Sequence, residues 1–171
     1  MPVLTSNTLV VIIAVAGCAA AAVIDLRTRR VPNALTTALA AAGFALAAMG
    51  VGPLGLGAAF GGALVGLLLM LPGHLFGATG AGDMKLFAAA GTLLGPADMV
   101  LAFLATAIAG GVVALVVAAR RGRLEETCGA TARLIASRGA NAPHIESTQS
   151  NNRFAYAPAI AFGVSLAAFG W

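Results

Sequence analysis

Six acidic side chains occur in this 171-residue chain: Asp25, Asp83, Asp98, Glu125, Glu126 and Glu146. Two of them stand apart. Asp25 closes a charge-free run from Pro2 to Ile24, and Asp83 follows a second run, Val31 to Gly82, broken only by the titratable His74. Ionisable groups at the margins of long apolar segments are costly, so function is their default explanation. Two carboxylates a few ångströms apart do not both ionise readily and instead share a proton. One can then take a proton from water while the other donates a hydrogen bond to a carbonyl oxygen, which is hydrolytic chemistry with no metal and no covalent nucleophile. Each has a plainer use as well. Asp25 can pair with Arg27, Arg29 or Arg30, and Asp83 can cap a helix.

The elements that must position these acids are membrane spans. The chain is 60% hydrophobic and 9% charged, with a mean hydropathy of +0.95; a soluble domain carries roughly a quarter charged residues. Runs of about 18 or more uncharged apolar residues read as spans. Gly50, Gly52 and Pro53 divide the second run into spans over 34–49 and 54–71, and Pro72, Gly73, Gly77, Gly80 and Gly82 mark an irregular loop. A fourth helix starts near Asp83 and stops at Gly95-Pro96, a fifth covers 99–119, and a sixth covers 154–171. The expected fold is an all-α polytopic membrane protein of about six helices, a single domain over 1–171 with a polar stretch at 120–153. The fourth span, about 20 Å long, is shorter than the ~30 Å hydrocarbon core and needs neighbours that shield its ends.

Sidedness follows from the basic residues. With the N-terminus outside, Arg27, Arg29, Arg30, Lys85, Arg120, Arg121, Arg123, Arg133, Arg138 and Arg153, all ten Lys and Arg, lie on the cytoplasmic side. Asp98 is left in an outer turn, and Asp25 and Asp83 come to matched depth at the cytoplasmic boundary. The net charge of +4 is thus a topology signal and gives no case for nucleic acid. Residues 1–7 carry no basic side chain, so the first run reads as a retained helix rather than a signal peptide. Cys18 and Cys128 form no CxxC pair, which leaves neither a disulfide framework nor a zinc site.

The surroundings of both acids narrow the chemistry. Gly80-Ala81-Gly82-Asp83 followed by Met84-Lys85-Leu86 resembles the GxGD motif of membrane aspartyl peptidases of the prepilin peptidase type. Ile24-Asp25-Leu26-Arg27-Thr28-Arg29-Arg30-Val31-Pro32-Asn33 is similar to that family's first catalytic segment, and Tyr156-Ala157-Pro158-Ala159-Ile160-Ala161-Phe162-Gly163 to its last-span motif. The resemblance implies catalysis by Asp25 and Asp83 without a cofactor or metal, and substrate contacts at Gly80, Gly82, Lys85, Pro32 and Asn33. It also implies a prepilin substrate, cut at the cytoplasmic face of a bacterial inner membrane, typically after a glycine preceding the apolar pilin helix. Within the family the chain looks like the short form without a methyltransferase region, most like the enzymes of tight-adherence pili.

Gly80 and Gly82 are expected to supply positive φ and close backbone approach beside an extended peptide. Lys85 either tunes the acids, holds a polar substrate group or anchors topology. His74 lies in the loop after the third span, and neither it nor His144 is assigned a role. Residues 120–137 could form an amphipathic surface helix against anionic lipid, with a loose loop at 142–152. Two other readings are weighed: a small transporter using the acids as proton or cation ligands, and an inactive pilus assembly protein. The sequence sets no oligomeric state.

Overall fold

The computed structural model describes residues 2–75, 79–120 and 156–169, and every regular element among them is a helix. The helices are α1 (Pro2–Thr28), α2 (Asn33–Ala48), α3 (Leu56–Leu75), α4 (Ala81–Arg120) and α5 (Ala157–Phe169). The stretches Asn7–Thr28, Leu56–Leu75 and Ala81–Val116 are long and apolar enough to cross a bilayer, while Asn33–Ala48 and Ala157–Phe169 are shorter apolar helices. The chain is an all-α polytopic membrane protein.

Helix α4 is a hairpin. Gly95 leaves the helical region at φ 80°, ψ 173°, and Pro96 follows it. In an unbroken helix positions 87 and 103 would stand roughly 24 Å apart, yet the rings of Phe87 and Phe103 pack edge to face with centroids 6.3 Å apart. The chain therefore folds back at Gly95. A left-handed φ is one that only glycine adopts without penalty, and a proline at the first position of the returning arm loses no hydrogen bond. Counting the two arms separately gives six rods among the described residues. The expected gap at 96–98 is absent; a single residue makes the turn.

The third span also differs from expectation. It runs to Leu75 and carries Pro72 inside it, so His74 belongs to a helical turn and not to a loop. Proline there forgoes one internal hydrogen bond, to the carbonyl oxygen of Leu68, and its ring crowds that carbonyl. The amphipathic helix expected at 120–137 and the loop at 142–152 fall outside the described residues, apart from the last helical residue, Arg120.

Small residues let the rods approach. The backbones of α3 and the first arm of α4 touch where Gly62 crosses Gly91, leaving no room for a Cβ on either. One turn away, a Cβ on Gly66 would stand 2.9 Å from the carbonyl oxygen of Phe87 and 3.1 Å from Met99 Cε. The core holds Cys18, Ala21, Met70, Leu86, Phe87, Met99, Ile160 and Val164. Large apolar side chains such as Ile12, Leu26, Phe60, Leu64, Ile108 and Leu166 point outward, the arrangement a protein solvated by lipid requires. The short first arm, residues 81–94, is enclosed, with Leu86, Phe87 and residues 89–95 buried, so its neighbours supply the shielding its length demands.

The rods alternate in direction, which sorts the loops to two ends. Val10 meets Gly52, and Leu54 meets Gly95, at one end; Asp98 lies there beside Asn7 and Ala167. Val31 meets Gly82, and Tyr156 meets Gly110, at the other, where Arg27, Arg29, Arg30 and Lys85 also lie.

Candidate active site

Asp25 sits one turn before the end of α1 and is 5% exposed. The helix closes around it. The N–H of Arg29 donates to the carbonyl oxygen of Asp25 at 2.7 Å, with Arg29 in the left-handed region at φ 53°, a helix end usually given to glycine. The side chains of Arg27, Arg29 and Arg30 are exposed. Arg29 exerts a charge on the Asp25 carboxyl, but among the described residues no ion pair joins them. What Asp25 engages is the start of α5. The N–H of Ala157 donates to Asp25 Oδ2 at 3.3 Å. The residue before that helix, Tyr156, has no side chain suited to capping, and Pro158 can donate nothing, so an acid from a distant helix caps α5.

Asp83 is 8% exposed and occupies the third position of α4, whose flanking residue is Gly80. Its Oδ2 accepts from the N–H of Gly80 at 3.1 Å, the backward half of a capping box, while the carbonyl oxygen of Gly80 accepts from the N–H of Asp83 and of Met84. Each acid therefore rests on the positive end of a helix, a setting that stabilises negative charge. Each uses Oδ2, and no hydrogen bond from a described residue reaches either Oδ1. The two carboxyls lie near enough for the charge on Asp25 to act on Asp83.

The glycines of the motif are present for space rather than for φ. Positive φ among glycines occurs at Gly50, Gly52 and Gly95, so the positive φ expected at Gly80 and Gly82 is not found. Gly82 is already inside the first helical turn, where φ is helical. A Cβ there would stand 3.2 Å from Cβ of Val31, and one on Gly80 would stand 3.2 Å from Asp83 Oδ2. The close approach expected is thus real, but the partner at Gly82 is the α1–α2 connection.

That connection also carries Pro32, the residue that opens α2 at φ −65°, ψ 133°, and Asn33, whose Oδ1 accepts from Lys85 Nζ at 3.2 Å. The expected contact residues Gly80, Gly82, Lys85, Pro32 and Asn33 therefore lie in the first turns of α4 and in the α1–α2 connection that packs against them. Lys85 binds Asn33, and its amine is exposed. Sequence reasoning missed Ala157 and Tyr156 as individual site residues, although the proline at 158 signals a helix start beside them. The Tyr156 ring lies over Gly110, where a Cβ would stand 2.6 Å from it. Burial, and then the negative charge of Asp83, pushes its phenol above the ordinary range. Two buried acids, each with one oxygen that no described residue engages, beside the phenol of Tyr156, can hold a water and a peptide carbonyl between them.

No curated protein and no solved structure matches the chain significantly. The model of the type IV leader peptidase family matches residues 12–115, more than half of the sequence and inclusive of both acids, and the chain belongs to that family.

Proposed function

We propose that this protein is a prepilin peptidase whose Asp25 and Asp83 form the catalytic dyad. The observation that carries the reading is the convergence of two buried carboxyls, from helices far apart in sequence, at one end of the bundle, with one oxygen of each unengaged by any described residue. The ionised carboxylate takes a proton from a water molecule as the water oxygen bonds to the scissile carbonyl carbon. The protonated carboxyl donates to the carbonyl oxygen, the carbon–nitrogen bond breaks, and a proton passes to the leaving amine. Fixed helix-end dipoles around the acids need no reorientation as charge moves.

The substrate is the leader of a type IV prepilin of the tight-adherence kind, presented where its apolar helix leaves the bilayer. The cut falls at the cytoplasmic face of the bacterial inner membrane, since the acid-bearing end also holds Arg27, Arg29, Arg30 and Lys85. Gly80, Gly82, Pro32 and Asn33 border the peptide, and Lys85, held by Asn33, lines the rim. The single peptidase domain spans residues 1–171.

The test is co-expression with candidate prepilins and mass measurement of each pilin's N-terminus. Wild type should remove the leader, and Asp25→Asn and Asp83→Asn should each leave it in place while accumulating in the membrane. Near wild-type processing by either variant removes the dyad assignment.

A further inference from the structure

Thr79 and Gly80 share one peptide group, and both of its polar atoms are engaged. Its carbonyl oxygen lies 3.2 Å from His74 Nδ1, and its N–H donates to Asp83 Oδ2 at 3.1 Å. A carbonyl oxygen only accepts, so this contact puts a proton on Nδ1. His74, in the last turn of α3, is thereby connected to the carboxyl of Asp83 through a single peptide unit. We propose that His74 is a positioning residue for Asp83, acting through the Thr79–Gly80 peptide; its consequence for catalysis rests on the peptidase reading above.

The physical case has two parts. The peptide plane is free to pivot at Gly80, which has no side chain to resist. A pivot would swing the Gly80 N–H off Asp83, and His74 opposes it by holding the opposite atom of the same plane. The neighbouring restraints fix Thr79 but not that plane. The N–H of Thr79 donates to the carbonyl oxygen of Gly73 at 3.1 Å, and its side chain packs where a Cβ on Gly73 would stand 3.2 Å away. The buried Thr79 hydroxyl has no hydrogen-bond partner among the described residues, so none of them uses it to steer the peptide. The second part is electronic. A donor on the carbonyl oxygen polarises the amide and strengthens its N–H as a donor, as hydrogen bonds in a chain reinforce one another.

A simple loop staple would also use His74, and the two roles separate by experiment. In full-length enzyme in membranes, His74→Ala should lower kcat by about 5- to 20-fold with KM unchanged, the effect of one lost hydrogen bond felt in the transition state. His74→Asn, whose amide nitrogen occupies the place of Nδ1, should restore most of the rate. His74→Gln, one methylene longer, should not. A His74→Ala enzyme with wild-type kcat, or equal losses in the Ala and Asn variants, overturns the proposal. A second measurement stands apart from cleavage. The carboxyl infrared band of Asp83, isolated by difference against Asp83→Asn, should shift in His74→Ala and return in His74→Asn. An unshifted band refutes positioning even if no prepilin is ever cut, whereas wild type that cuts nothing while the band shifts refutes the peptidase reading alone.

Discussion

Each acid at the candidate site does structural work as well as the proposed chemistry, and single substitutions divide the two. Asp25 caps α5 through one oxygen. In Asp25→Asn an amide oxygen can still accept from Ala157, so the fold should survive while cleavage is lost. Asp25→Ala removes the cap too and should cost about 1 kcal/mol more. A lower Tm for the alanine variant than for the asparagine variant in the same detergent checks this, and equal Tm values reject the cap. Gly80→Ala tests the opposite side of the dyad. Its methyl would stand 3.2 Å from Asp83 Oδ2, so processing should fall several-fold at unchanged protein abundance. Arg29 adds a strained residue to this region at φ 53°, a conformation in which a non-glycine residue costs about 1 kcal/mol. Its N–H closes the turn on Asp25.

At the level of elements, glycine contacts decide where helices meet and where they turn. Gly95→Ala would hold an alanine at φ 80° and bring its methyl 2.9 Å from Leu54 Cδ2. The expected cost is about 1–3 kcal/mol from the backbone, read as a lowered Tm. Gly57→Ala, on an exposed helical site with nothing within 4 Å, should leave Tm unchanged or slightly raise it. Gly82→Val places a branched side chain against Val31, which already lies 3.2 Å from where a Cβ would be. It should push the α1–α2 connection away from the first turn of α4 and impair prepilin processing severely at normal abundance. Processing equal to that of Gly57→Ala would mean that this contact does not shape the site.

Taken whole, the bundle is polarised. Asp25, Asp83 and four basic side chains occupy one end, and Asp98 occupies the other beside a cavity of about 160 Å³. If the first end faces the cytoplasm, a cysteine replacing exposed Thr28 should react with an impermeant reagent only from the cytoplasmic side of membrane vesicles. One replacing Asp98 should react only from the outer side. Labelling of both from the same side would overturn the alternating arrangement of rods. Inverted labelling of both would keep the bundle and place the acids outside.

The membrane class, the six rods and the two acids were legible in the sequence because each depends on local quantities. Apolar run length fixes a span, Gly-Pro marks a reversal, and a charge isolated at the margin of such runs has no bland majority to hide in. Even the placing of Asp25 and Asp83 at one end of the bundle followed from counting alternating rods, which brings the end of the first helix and the start of the fourth to one depth. Tertiary structure decided what the acids touch. That Asp25 caps α5 at Ala157, that Lys85 turns to Asn33, and that Gly82 is small for the sake of Val31 depend on which rods are neighbours. Periodicity is silent on neighbours when nearly every face is apolar. His74 was given no role for a related reason: its partner is a backbone carbonyl, an acceptor carried by every residue, and only the folded chain selects which one it meets.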